Sequence, residues 1–175
     1  MTNILIYCDI DEGAFELLSW GKKVKDRLHA TISAVLLGKG AKGKAADYFA
    51  YGADKIYWSE QAALTDFYAD VYADALFQIA NTNDHDIVLI GSTRRGKELA
   101  ARLAQKMQAG CITDAGGIEL KGQDLVVHRY TLGGNTLSSE VLKTAKKVIS
   151  VLPKSFEKSV KTAGQGEALE VSLTL

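Results

Sequence analysis

Four short apolar runs alternate with stretches of helical period over residues 3–107, and that alternation restricts the fold more than any other feature. The runs are Asn3–Cys8, Thr31–Leu37, Lys55–Trp58 and Ile87–Ile90. The last, Ile87-Val88-Leu89-Ile90, is solidly apolar, the sign of a strand buried on both faces. After the first run, Ala14, Phe15, Leu17, Leu18, Gly21, Val24 and Leu28 share one helical face. Ala45, Ala46, Phe49 and Ala50 predict a short second helix capped by Gly52. A third, over about Thr65 to Ala80, turns Phe67, Val71, Ala75 and Ile79 inward, with Tyr68, Tyr72 and Leu76 beside them. A fourth starts near Arg95, with Leu99, Leu103 and Met107 four apart and Gly110 placed to end it. The order βαβαβαβα dictates a parallel sheet with helices on both faces and right-handed crossovers.

Past Gly110 the texture changes. Cys111-Ile112-Thr113 reads as a fifth strand with Asp114 at its end. Gly116-Gly117, Lys121–Asp124 and Gly133-Gly134-Asn135 then separate Leu125–Val127, Thr136–Leu142 and Val148–Leu152, short β-forming stretches split by turn signals. The expected fold is a three-layer α/β/α domain with a parallel five-stranded sheet and a small antiparallel β extension. Residues 157–175 read as a polar, linker-like tail ending on the alternating stretch Leu169–Leu175.

The fourth run feeds its helix through Gly91-Ser92-Thr93-Arg94-Arg95-Gly96-Lys97. At the carboxyl end of a parallel strand, such a loop collects free backbone N–H groups where anionic ligands dock. Ser92 and Thr93 offer caps. Arg94, Arg95 and Lys97 stand where the helix macrodipole disfavours cations, at roughly 0.3–1 kcal/mol each. Either an anion faces them or they form a solvated basic loop. Asp9 and Asp11 follow the first strand, where acids meet a ribose or Mg²⁺ or simply make a turn. The candidate binding residues are therefore Asp9, Gly91, Ser92, Thr93, Arg94, Arg95, Gly96 and Lys97, with Asn135 in the Gly134-Asn135 turn. The basic segment Gly38–Lys44 lacks the Gly-Lys-Ser/Thr ending of a phosphate loop.

No catalytic residue is assigned, because no nucleophile–base pair stands out. His29, His85 and His128 share no metal spacing, and Cys8 and Cys111 form no CxxC. Lys plus Arg and Asp plus Glu balance at 21 each, so no global field points to nucleic acid or an anionic membrane. No stretch approaches a membrane span, and the opening residues MTNILIYCDID do not read as a signal peptide, so a cytoplasmic location is expected.

Three collinear segments carry a family resemblance. Gly96, Lys97, Glu98, Leu99, Ala100, Arg102 and Ala104 match a Gly-(Lys/Arg)-(Asp/Glu)-Leu-Ala-x-Arg-x-Ala helix. Gly110, Ile112, Thr113 and Asp114 match the strand after it, and Arg129, Gly134 and Asn135 a later one. Tyr51–Tyr57 fits the same family's helix-to-strand corner. The chain resembles the amino-terminal domain of electron transfer flavoprotein alpha subunits. The resemblance implies the adenine nucleotide alpha-hydrolase-like sheet shared with universal stress proteins. It also implies a non-catalytic role in an alpha–beta heterodimer that carries electrons from flavin dehydrogenases to an acceptor. Its partner would be a beta-like subunit, or a second copy in a homo-oligomer. Residues 1–156 would be the amino-terminal domain and 157–175 a tail. FAD would sit chiefly in a carboxyl-terminal domain absent from this sequence. Leu152 stands where the family commonly has Arg, which removes one group that would meet flavin or a partner's phosphate. The alternative is a stand-alone adenine-nucleotide module, with AMP or a relative held by Gly91–Lys97.

Overall fold

A computed structural model describes residues 2–175. The first apolar run becomes β1 (Thr2–Tyr7) and the helical period after it α1 (Asp11–Leu28). There follow β2 (Ala30–Leu37), α2 (Ala45–Ala50), β3 (Lys55–Ser59), α3 (Ala69–Thr82), β4 (Ile87–Gly91) and α4 (Arg94–Met107). The rest of the chain forms β5 (Gly110–Lys121), β6 (Asp124–Thr131), β7 (Thr136–Val141), β8 (Lys147–Val151) and β9 (Glu167–Glu170).

These strands make a single sheet in the order β7-β6-β5-β8-β4-β1-β2-β3-β9. The expected five-stranded sheet of adenine nucleotide alpha-hydrolase-like type, with its separate antiparallel extension, is thereby corrected to one mixed nine-stranded sheet. Two placements account for the difference. Val148–Val151, expected in a hairpin, instead lies parallel between β4 and β5, pairing Ile149 with both Leu89 and Ile112. Its apolar pattern suits a strand buried on both faces better than a hairpin edge. β5 does not stop at Thr113. It passes an irregularity at Asp114, whose φ is +57°, and continues into antiparallel pairs with β6, which pairs antiparallel with β7.

Strand alternation divides the core into two layers. Ile4, Ile6 and Leu89 pack against α1 and Tyr48 of α2. Leu5, Val88 and Ile90 pack against Leu76 of α3 and Leu99 and Leu103 of α4. The arm β5–β6 folds back over α1, where Trp20 Nε1 donates to the Ile118 carbonyl at 3.2 Å and Arg27 to that of Leu120 at 3.1 Å. In α2 the buried residue is Tyr48 rather than the alanines, because an aromatic ring reaches the α1 layer where a methyl group does not. The fourth helix ends at Gln108 in the left-handed region, and Gly110 already belongs to β5. Asp70 and Asp74 on α3 pair with Arg102 and Lys106 of α4, binding the two helices through their solvent-facing sides.

Residues 157–175 run along the molecule. The Ser159 amide donates to Ser19 Oγ at 2.9 Å and that of Thr162 to the Ala50 carbonyl at 3.1 Å. β9 then pairs parallel with β3, and Leu173 is buried in the layer shared with α3.

Candidate functional site

With α1 and α2 on one face and α3 and α4 on the other, the crossovers diverge between β1 and β4. The carboxyl ends of these strands form the crevice where open α/β sheets place ligands. Asp9 leaves β1 there and Ser92-Thr93 leave β4. Thr93 is the N-cap of α4: its Oγ1 accepts from the Gly96 amide at 3.0 Å and donates to Asp9 Oδ1 at 2.6 Å. Ser92 Oγ donates to Asp114 Oδ1 at 2.5 Å, and Lys97 Nζ stands 3.1 Å from the same carboxylate. Burial alone would raise the Asp114 carboxyl, but the Ser92 hydroxyl and the Lys97 ammonium outweigh it and hold it below its ordinary range.

The amides of this loop are largely engaged. Ser92 N donates to the Val151 carbonyl at 2.7 Å, Thr93 N to that of Gly91 at 2.8 Å and Lys97 N to that of Thr93 at 3.0 Å. The start of α4 thus faces two carboxylates of its own chain, Asp9 and Asp114, and these answer the macrodipole that Arg94, Arg95 and Lys97 oppose. Arg94 is exposed and has no ion pair among the described residues. Arg95 lies over the Phe67 ring at 5.0 Å from its centroid. The two glycines are needed for packing. A Cβ on Gly91 would meet Cys8 Sγ at 2.2 Å, and one on Gly96 the Gly91 carbonyl oxygen at 1.9 Å. The structure therefore brings together Asp9 and Gly91–Lys97. It leaves Asn135 apart, exposed at the β6–β7 turn, where its side chain donates to the Leu132 carbonyl.

Two spaces flank the crevice and share Cys8 as a wall. One is an apolar slot of about 150 Å³ among Cys8, Ile10, Gly13, Leu17, Val151 and Leu152. The other is a polar chamber of about 130 Å³ over the ends of β1 and β2, bordered by Tyr7, Asp9, Lys39, Tyr48, Tyr72 and Arg95. Burial pushes the Cys8 thiol up to about 11, so it is a packing group and not a nucleophile at neutral pH. Sequence reasoning missed Tyr7, Lys39 and Tyr48 as chamber residues. The available signal was a polar-tipped residue closing an otherwise aliphatic strand at its carboxyl end.

Neither space fits a dinucleotide such as FAD, since sites that enclose ligands of even drug size span roughly 300–1,000 Å³. Among the described residues, no group of three or more His, Cys, Asp or Glu side chains is placed to hold a metal, and no helix is long and apolar enough to cross a membrane. What the crevice offers chemically is hydrogen bonding and charge.

Residues 9–175 match a family model described as the electron transfer flavoprotein domain. The electron transfer flavoprotein subunit alpha of Clostridium acetobutylicum is 29% identical over 153 residues, covering 86% of this chain and 46% of that protein. Protein FixB of Clostridium saccharobutylicum is 30% identical over 172 residues, 95% of this chain and 51% of that protein. The subunit alpha of Bacillus subtilis is 27% identical over 163 residues, 91% and 50% of the two chains. The chain spans about half the length of these curated relatives.

Proposed function

The chain belongs to the electron transfer flavoprotein family, and from that premise we propose that it is the alpha-type component of an electron-transfer assembly, supplying scaffold and docking surface to a beta-type or other flavin-carrying subunit. The observation that carries this reading is the match over residues 9–175 together with relatives named as subunit alpha and FixB. The crevice supports it from the other side, because its spaces are too small for FAD. In this reading the flavin is carried chiefly by the partner or a further domain. Residues 1–156 form the docking domain, and 157–175 a tail that packs along it and adds β9 beside β3. A nucleotide phosphate cradled by the Gly91–Lys97 main chain is not part of this reading, since the Ser92, Thr93, Gly96 and Lys97 amides have partners and two carboxylates face the helix start.

The arm offers the docking surface. Tyr130, Leu132 and Leu137 are 61%, 78% and 59% exposed, and Tyr130 and Leu137 sit opposite one another across β6 and β7. Three large apolar side chains clustered in water mark an interaction site more often than scattered single ones do. The test is co-expression with a beta-type electron transfer flavoprotein subunit. The expected result is a complex that carries visible flavin absorbance, while the chain alone is colourless. A chain that elutes alone, or only with itself, beside every beta-type subunit tried overturns the reading.

A further inference from the structure

The phenols of the polar chamber differ in one respect. Tyr48 donates to Asp11 Oδ1 at 2.9 Å and Tyr72 to the Leu64 carbonyl at 2.8 Å. Tyr7 is only 5% exposed and lines the chamber, yet among the described residues its hydroxyl has no hydrogen-bond partner. Its oxygen is not sealed in the core but opens onto the chamber, so the partner a tyrosine hydroxyl ordinarily finds must come from whatever fills that space. Burial holds this phenol protonated, with Tyr72 and Asp9 acting the same way and Arg95 against them, so all three groups lie within its field.

The charges around the chamber are unevenly committed. Lys44 is bound to Asp11 at 2.9 Å. Lys39 and Arg95 have no carboxylate partner among the described residues, and both border the chamber. Asp9 also borders it and uses one oxygen for Thr93. Two cations without a carboxylate partner, one of them resting over the Phe67 ring, and a neutral donor around a small space call for an oxyanion. A carboxylate in the same wall repels any oxyanion that carries no proton, because lone pairs would then meet lone pairs.

We propose that the chamber binds a hydrogen-bearing oxyanion, a phosphate or phosphomonoester, with its charged oxygens on Arg95, Lys39 and the Tyr7 hydroxyl and its P–OH donating to Asp9. About 130 Å³ is the room of roughly four waters, which admits the phosphoryl group and leaves an ester substituent at the mouth. This site is independent of the electron-transfer reading and survives its failure.

The experiment is calorimetry and thermal melting of the full chain with inorganic phosphate, sulfate and phenyl phosphate, at matched ionic strength and about pH 6, near the second ionisation of a phosphate ester. Phosphate is expected to bind at least about tenfold more tightly than sulfate, the effect of one charge-assisted hydrogen bond. Phenyl phosphate binding more tightly than phosphate identifies an ester as the occupant, and the reverse order the free ion. Tyr7→Phe keeps the ring packed against Tyr72 and lowers phosphate affinity roughly tenfold. Arg95→Gln, at an exposed position, lowers it as well. Asp9→Asn still accepts from Thr93 but turns an amide donor inward, so sulfate binding rises to the level of phosphate. Equal binding of sulfate and phosphate by the unaltered chain, binding of neither, or a Tyr7→Phe chain with unchanged phosphate affinity overturns the proposal.

Discussion

At the centre of the sheet, Ile6 of β1 and Leu89 of β4 lie side by side with none of their surface exposed, whereas at its edge Tyr130 and Leu137 face each other across β6 and β7 and are 61% and 59% exposed. The same kind of apolar pair stabilises this chain at the centre and leaves its stability nearly untouched at the edge. Apolar area contributes about 25 cal/mol per Å² only when it leaves water. The edge pair has that gain still in reserve for an association.

The comparison can be broken in four places, taken here from the largest effect to the smallest. Leu89→Ala should lower unfolding free energy by about 2–5 kcal/mol, read as a fall in the urea midpoint at constant slope. A loss under 1 kcal/mol would mean that the centre is not packed as described.

His85 gives the next largest effect. It lies buried at the α3–β4 turn against Tyr57, with Nδ1 unpartnered among the described residues. Burial lowers its pKa from 6.5 to about 4, Lys55 acts the same way, and the Ala80 carbonyl and Asp86 oppose. The unfolded chain therefore takes up the proton first. Stability is full above about pH 6.5 and falls as pH drops toward 4, by on the order of 3 kcal/mol. His85→Phe should flatten this acid limb in a series of melts; an unchanged limb would assign it to other groups.

Thr93→Ala removes the cap of α4 and the bond to Asp9, at roughly 1–2 kcal/mol, and Thr93→Ser should restore most of it. The smallest effect on stability is expected at the edge. Leu137→Ser should move it by no more than about 0.5 kcal/mol, while binding to a beta-type subunit weakens about tenfold. If Leu137→Ser instead unfolds the chain as Leu89→Ala does, the arm belongs to the core and the docking surface lies elsewhere.

The contrast also explains what could be read from the residues alone. Strands buried on both faces must be apolar throughout, so β1, β2 and β4 and the helices between them were legible. Val148–Val151 carried the same mark. Its place at the end of a series of short β-forming stretches nevertheless pointed to a hairpin, since order across a sheet is a long-range property that no local period encodes. Asp9 and Gly91–Lys97 were found because loops at strand ends converge in any parallel sheet. The engagement of the Ser92 amide and hydroxyl was not legible, because the amide donates to Val151 of that misplaced strand and the hydroxyl to Asp114, a residue at φ +57°. Tyr7 and Tyr48 carried no functional signal in the sequence, and only the chamber they border shows that their hydroxyls differ.

Two glutamines hold the last residues in a way that is indifferent to side chains. Gln61 gives one hydrogen bond to the Leu173 carbonyl and takes one from its amide, both at 2.9 Å, and Gln78 does the same for Thr174 at 2.7 and 3.0 Å. Each carboxamide mimics a neighbouring strand and clasps main chain, which nearly all amino acids present alike. Position 174 can thus change to almost anything except proline, which lacks the N–H to give, without loosening the clasp. Position 173 has the added duty of plugging the layer beneath.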